Sequence, residues 1–274
     1  AADQYARASV SKTGSLDMGR LHTYKYNDDL FKKVTTLPGA TSHGLVMFLD
    51  WSGSMQYNIS GTMKQLFNLV WFCNRVKIPF EVYAFTDQMG GRYRKSDGVY
   101  IANKKVKTGD IKVEYVKLLN FMSSRMSKVE LKKMTHQLFM LSESFAPYRD
   151  WQVKGYPKRP IKDLYLGGTP LNATIITAMD LLPKFKSETG VQKVNTIFLT
   201  DGASHDLSNF YTSKVTRDGD IVESQGYFGT KKTVFTDPIS NTKVFHKEDD
   251  TRTYSWDIQT QLLLKLLKSR MPEM

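Results

Sequence analysis

The chain has 274 residues, of which 41% are hydrophobic, 12% aromatic and 24% charged. That balance excludes collagen-like and disordered chains and gives ample length for the core of one large α/β domain or two small ones. With 39 Lys and Arg against 27 Asp and Glu, the formal charge is +12, so the surface attracts something anionic without identifying it.

The single cysteine, Cys73, excludes an intrachain disulfide and a thiolate metal cluster, as expected in a reducing compartment. Any metal must therefore be held by oxygen or imidazole. No apolar run reaches the ~18 residues of a membrane-spanning helix, and Ala1-Ala2-Asp3-Gln4 lacks the basic-then-apolar pattern of a signal peptide. These features point to a cytoplasmic chain with no membrane partner.

Residues 1–20 are polar and without clear period, which predicts an arm or linker before a domain spanning 21–274. Leu45-Val46-Met47-Phe48-Leu49, bounded by Gly44 and Asp50, predicts a central strand buried on both faces. After Trp51-Ser52-Gly53-Ser54-Met55, the stripe Met63, Leu66, Phe67, Val70, Cys73 predicts an amphipathic helix. A strand from Ile78 to Phe85 follows, ending in Thr86-Asp87. Strand, helix, strand is a β-α-β unit and favours a parallel sheet.

Residues 88–162 read as an insertion, with a Gly90-Gly91 turn, a strand near 113–119 and a helix near Ser127–Phe145. Leu166-Gly167-Gly168-Thr169 then precedes Pro170, placed to open a helix through Leu171, Ile175, Met179 and Leu182. Val194–Leu199 predicts a strand ending in Thr200-Asp201-Gly202. Two β-patterned runs between Ile221 and His246 flank Thr236–Asn241 and read as a hairpin, within a second insertion of about 206–256. Ile258, Leu262, Leu263, Leu266 and Leu267 form the apolar face of a last helix. The alternation leaves one strand owed and the chain lacks an initiator Met, so the expectation is a segment of a longer polypeptide.

Three loops thus share one pattern, an apolar strand followed by oxygen-bearing side chains. In an open parallel sheet, loops leaving the carboxyl ends of strands converge on one crevice. Asp50 and Asp201 bring negative charge, while Ser52, Ser54 and Thr169 bring hydroxyl oxygens, all hard donors suited to Mg²⁺ or a similar dication. Gly53 relieves crowding where Asp50-Trp51-Ser52-Gly53-Ser54 turns. One or two carboxylates leave such a cation incompletely neutralised, open to an external carboxylate.

The D-x-S-x-S at Asp50, Ser52 and Ser54, the isolated Thr169 and the aspartate of the T-D-G loop at Asp201 resemble the von Willebrand factor type A (VWA) domain with a metal-ion-dependent adhesion site (MIDAS). The resemblance covers roughly Leu45 to Leu267. It implies a Rossmann-like, doubly wound, mainly parallel central sheet flanked by helices, here with helical and β-hairpin insertions. It also implies a Mg²⁺, or another hard cation such as Mn²⁺ or Ca²⁺, coordinated by Ser52, Ser54 and usually Thr169, with Asp50 and Asp201 near it, often through water. A partner protein's Asp or Glu would complete the shell.

Leu16-Asp17 through Arg20-Leu21, Tyr24-Lys25 and Asp28–Lys32 are similar to the intracellular branch typified by the cobalt-chelatase T-type subunit, found in bacteria and bacteriophages. That branch implies an AAA+ ATPase partner of the MoxR or cobalt-chelatase S type. The chain would then be a non-catalytic interaction module, or alternatively a subunit of a Mg or Co chelatase complex.

Blander readings stand beside these. Asp50 and the serines are also favoured helix N-cap residues, as is Thr169 before Pro170. Trp51 suits either partner contact or packing on the next helix, and Cys73 lies on the apolar stripe as a core residue. His22, His43, His136, His205 and His246 show no H-x-x-x-H spacing. His205 and Asp206 read as a solvent-exposed rim. Gly39–Gly44 has phosphate-loop glycine spacing, but Leu45-Val46 stands where Lys-Ser/Thr is needed. No G-x-S-x-G elbow is present. Lysine clusters at Lys104, Lys105 and Lys107, at Lys132 and Lys133, at Lys154, Lys158 and Arg159, and at Lys231 and Lys232, with Tyr148, Trp151 and Tyr156 nearby, carry a third reading as a basic structural or nucleic-acid-associated protein.

Overall fold

A computed structural model describes residues 9–16, 31–36, 42–87, 109–111, 113, 116–145, 164–207, 209–215, 221–227, 234–245 and 254–272. The chain divides into two compact units, Ala1–Ser42 and His43–Met274. In the first, β1 (Ser9–Leu16) and β2 (Phe31–Thr36) pair antiparallel, with an irregular register between Lys12 and Leu16. Strand β1 lies inside the stretch read as an arm. The segment resembling the chelatase branch lies mostly outside the described residues, as do Gly90-Gly91, residues 39–41, His22 and His246. The basic clusters at 104–107, 154–159 and 231–232, with Tyr148, Trp151 and Tyr156, lie outside them too. Lys132 and Lys133 are exposed.

The second unit is built on a four-stranded sheet in the order β5-β4-β3-β6. Its strands are β3 (His43–Asp50), β4 (Phe80–Thr86), β5 (Lys117–Ser123) and β6 (Lys193–Leu199). β3 runs parallel to β4 and to β6, and β5 closes the β4 side antiparallel. This is a mixed α/β fold with a mostly parallel central sheet flanked by helices.

The apolar run of β3 explains the layering. Leu45, Met47 and Leu49 pack with α1 (Ile59–Val76) and α2 (Lys128–Ser144), whereas Val46 and Phe48 pack with α3 (Leu171–Thr189) and α4 (Ser255–Arg270). Successive side chains point to opposite faces of a strand, so a strand apolar at every position must be covered twice. Among the described residues, no helix is long and apolar enough to cross a membrane.

Several boundaries shift. The strand expected near 113–119 runs Lys117–Ser123, because its later residues Phe121 and Met122 are the buried ones and Ser123 Oγ donates to the buried Glu81 at 2.7 Å. α2 begins at a capping box in which Ser127 and Glu130 bond each other's backbone N–H. Pro170 is the N-cap of α3 rather than its first helical residue, with φ −81° and ψ 51°.

The Ile221 run is not half of the hairpin around Thr236–Asn241. β8 (Ile221–Tyr227) pairs with β7 (Asn209–Val215), while β9 (Val234–Thr236) and β10 (Lys243–Phe245) form a short ribbon of their own. That ribbon is tied down by Arg270, whose Nε donates to Asp237 at 3.1 Å and whose Nη1 donates to the Met179 carbonyl at 3.1 Å and to Asp180 at 3.2 Å.

Candidate metal centre

From β3 the chain goes through α1 to β4 on one side, while β6 lies on the other. The carboxyl ends of β3 and β6 therefore flank the point where strand order reverses, the place where open α/β sheets bind ligands. Asp50 ends β3 with no solvent exposure. Its Oδ2 accepts a 2.7 Å hydrogen bond from Thr200 Oγ1 at the end of β6, while its Oδ1 is buried with no hydrogen-bond partner. Burial pushes the Asp50 carboxyl above its ordinary value, against the Thr200 hydrogen bond.

Trp51 points into the core. It is fully buried, its Nε1 donates to the Leu164 carbonyl at 3.0 Å, and its ring meets Phe121 and Phe145 edge-on at 5.0 and 5.6 Å. Of its two readings, packing holds. This anchor sends Ser52 and Ser54 the opposite way. Ser52 Oγ and Ser54 Oγ lie 3.0 Å apart, and Ser54 Oγ donates to Asp201 Oδ1 at 2.9 Å. Ser52, Ser54 and Asp201 are thus joined directly, and Asp50 meets them through Thr200 and through Ser52, whose hydroxyl and N–H favour its charged form.

Thr169 arrives on a backbone strut. Gly53 N–H donates to the Gly167 carbonyl at 2.7 Å and Gly167 N–H to the Trp51 carbonyl at 3.0 Å, which extends the sheet alongside the serine loop. Thr169 is buried, and its carbonyl accepts the His205 N–H at 2.9 Å. No hydrogen bond links its side chain to the other four residues.

The capping alternative fails locally. The short 3₁₀ turn Ser54–Tyr57, α1 and α3 have Gly53, Asn58 and Pro170 as N-caps, none with a side-chain capping bond. Cys73 is buried in the core as read, and burial raises its thiol.

Compared with known proteins, the chain matches no protein-family model and no curated protein. Two crystal structures of the pilus adhesin SpaC from Lactobacillus rhamnosus GG are similar, one of them an open conformation. The first shows TM-score 0.40 and 15% identity, the open form TM-score 0.41 and 14% identity; each match covers 84% of this chain. This chain spans 23% of the length of that adhesin. At such TM-scores the likeness supports no assignment.

Three residues outside the motif shape the crevice. Asp87, just past β4, accepts the Gly168 N–H on Oδ1, and its Oδ2 lies 3.7 Å from His205 Nδ1. A Cβ on Gly168 would come within 2.4 Å of His205 Cε1 and 2.5 Å of Asp87 Oδ2, so only glycine fits this approach without displacement. The cue available in sequence was the repeated Thr-Asp ending of β4 and β6, at Thr86-Asp87 and Thr200-Asp201. His205 and Asp206 are both exposed as read, and Asp206 accepts Ser255 Oγ at 2.7 Å and also the Gln259 amide.

Electrostatics favour a cation. In a chain with 39 Lys and Arg, residues 50–58, 164–170 and 200–207 contain neither type but include Asp50, Asp201 and Asp206, and Asp87 bonds the Gly168 N–H. Among the described residues, no three His, Cys, Asp or Glu side chains form a metal-binding group. The oxygen set here is instead two carboxylates with hydroxyls, the hard and partly neutral kind that suits Mg²⁺.

Proposed function

We propose that the second unit is a VWA-type domain whose MIDAS-like centre holds a hard divalent cation, Mg²⁺ or alternatively Mn²⁺ or Ca²⁺, and that the chain is a non-catalytic protein-interaction module. The observation that carries this reading is Asp50, a buried carboxylate with one oxygen left without a protein partner beside a hydroxyl cluster. Buried polar atoms are almost always satisfied, and a cation is a natural complement for one that is not. Ser52, Ser54 and Thr169 would hold the ion, with Asp50 and Asp201 balancing its charge. When bound, it would supply an incompletely neutralised positive centre for a partner's Asp or Glu. Trp51 anchors the loop from within, and Asp87 fixes the loop bearing Thr169.

By the resemblance of the motif and of residues 16–32, the partner proposed is an AAA+ ATPase of the MoxR or cobalt-chelatase S type, met in the cytoplasm. Isothermal titration of the metal-free chain with Mg²⁺ tests the centre. One saturable site is expected, absent in Asp50→Ala and in Ser52→Ala/Ser54→Ala with unchanged far-ultraviolet circular dichroism. No saturable heat, or heat unaltered in both variants, overturns the reading. Co-purification with the ATPase should be lost in EDTA.

A further inference from the structure

The central sheet ends differently on its two sides. At one edge β5 carries an extra residue, Phe121, between the partners of Val82 and Tyr83, and a bulge of this kind guards an edge against further pairing. At the other edge β6 pairs with β3 along its whole length without a break and, among the described residues, with no second strand. Its sequence, Lys193-Val194-Asn195-Thr196-Ile197-Phe198-Leu199, has no proline and no charge after the first residue. The devices that usually blunt a sheet edge are therefore missing from β6.

The side chains along this edge are incompletely covered. Met47, Phe48 and Leu49 of β3 have no exposure, whereas Ile197, Phe198 and Leu199, their neighbours in register, are partly exposed. A row of rings crosses the sheet from Tyr83 to Phe48 to Phe198, with centroids 5.8 and 4.9 Å apart, and stops at β6. Thr196, the middle residue of the strand, has a buried hydroxyl with no hydrogen-bond partner. A polar atom so placed is uncommon and calls for a partner.

We propose that β6 pairs antiparallel with β6 of a second copy of this chain, about a two-fold axis at Thr196, so that the two central sheets become one. An unpaired edge is completed by a strand, because a strand offers N–H and C=O groups at the matching spacing. The sequence of the edge selects which strand. In a two-fold antiparallel ladder one residue must face its own copy, since paired side chains share a face of the sheet. Full overlap of β6 puts Thr196 in that position, where rotation about χ1 lets the two hydroxyls bond each other. Phe198 then opposes Val194 of the copy, a favourable aromatic and β-branched pair. Lys193 opposes Leu199 of the copy and stands about 20 Å from its own counterpart at ~3.3 Å per residue, so no like charges face each other. With a single charge in the strand, the edge offers a foreign acidic or basic strand no complementary pattern.

Sedimentation equilibrium of the full chain in EDTA tests the pairing apart from the metal centre. A reversible monomer–dimer equilibrium is expected. Asn195 is exposed, and Asn195→Lys sets two lysines on the same face about 7–8 Å apart across the axis; it should weaken dimerisation about fivefold. Register is read by oxidative cross-linking, for which the native Cys73 is buried and does not compete. Residues facing each other in an antiparallel pair have Cα atoms about 4.5–5.5 Å apart, within the reach of a disulfide, so Thr196→Cys should give a covalent dimer and Lys193→Cys should not. Asn195→Lys keeps the proposal falsifiable even where Thr196→Cys perturbs folding. A chain that stays monomeric at every concentration has its edge filled by another strand or left open, and overturns the proposal. So does a dimer unaltered by Asn195→Lys, or one that cross-links as readily through Lys193→Cys as through Thr196→Cys.

Discussion

Replacing Asp50 by Asn removes the charge of a fully buried side chain while keeping its shape. Without metal, the carboxylate has a 2.7 Å hydrogen bond from Thr200 on Oδ2 and the nearby Ser52 hydroxyl and N–H favouring its charge, but Oδ1 is buried with no partner at hydrogen-bond geometry, and burial outweighs these groups. An unsatisfied buried polar group costs about 1–3 kcal/mol, and more when charged, so the neutral amide should stabilise the metal-free domain by about 1 kcal/mol at neutral pH. For a domain of roughly 150–250 residues that is about 2–4 °C in Tm.

The pH dependence has a definite sign. Burial raises the folded carboxyl above its unfolded value, so the folded form holds its proton more tightly and wild-type stability falls as pH rises from the ordinary carboxylate range through the raised value. Asp50→Asn has no such loss, so its advantage should vanish in acid and be complete above that window. Saturating Mg²⁺ should reverse the ranking, since a ligand at 100 times its Kd adds about 2.7 kcal/mol to the form that binds it. Calorimetric melts of both proteins in EDTA and in Mg²⁺, at neutral and acid pH, measure all of this. A variant that melts below wild type in EDTA would show that the protein already compensates the charge. Equal Mg²⁺ shifts would show that the ion does not depend on Asp50.

Gly168→Ala places a methyl group 2.4 Å from His205 Cε1 and 2.5 Å from Asp87 Oδ2. The exposed imidazole can swing aside, but Asp87 cannot move without releasing the Gly168 N–H. We expect a loss of about 1–3 kcal/mol in urea unfolding and Mg²⁺ affinity about 10–100-fold weaker by titration calorimetry, the usual effect of disturbing a ligand's support; wild-type affinity would show that the loop does not position Thr169. Arg270→Met leaves the 2%-exposed Asp237 without its cation and should cost about 3–5 kcal/mol in urea unfolding, whereas Arg270→Met/Asp237→Leu should cost clearly less. The Arg270 guanidinium holds the Asp237 carboxyl well below the usual carboxylate range, so its stabilisation is present at neutral pH and lost as pH falls below the unfolded value; the double variant should show a flatter acid limb in pH-dependent melts.

Elements that bury apolar surface on a fixed period were legible in the sequence. β3 has no polar interruption before Asp50, and α1, α3 and α4 show stripes at helical spacing, so type and order follow from local pattern. Pairing partners were less legible because they depend on turns. The Ile221 run pairs back onto Asn209–Val215, and Asp218-Gly219 between them was the stronger hairpin cue. β5 slid toward Ser123 because a distant buried carboxylate, Glu81, needed its hydroxyl, and nothing near Ser123 in sequence reveals that.

The same division runs through the candidate centre. Asp50, Ser52 and Ser54 are a local spacing and could be read directly, and Asp201 by analogy with them. The roles of Asp87, Gly168, His205 and Thr200 exist only once strands far apart in sequence lie side by side. Their neighbourhood is otherwise closely satisfied. Asn172 has no exposure, yet its backbone N–H donates to Ser204 Oγ at 2.8 Å, its Oδ1 accepts from Thr260 at 2.6 Å, and its amide reaches Gln259 Oε1 at 3.3 Å. Gln259 in turn accepts the Leu207 N–H at 2.7 Å and donates to the Leu207 carbonyl at 2.9 Å. This network ties the 200–207 loop to the starts of α3 and α4, so loose packing does not account for what lies next to it. Among the described residues only Asp50 Oδ1 and Thr196 Oγ1 are buried side-chain atoms without a partner. A hydroxyl can be left so at modest expense, whereas an enclosed carboxylate oxygen costs more, which is why the proposed cation is tested first at Asp50.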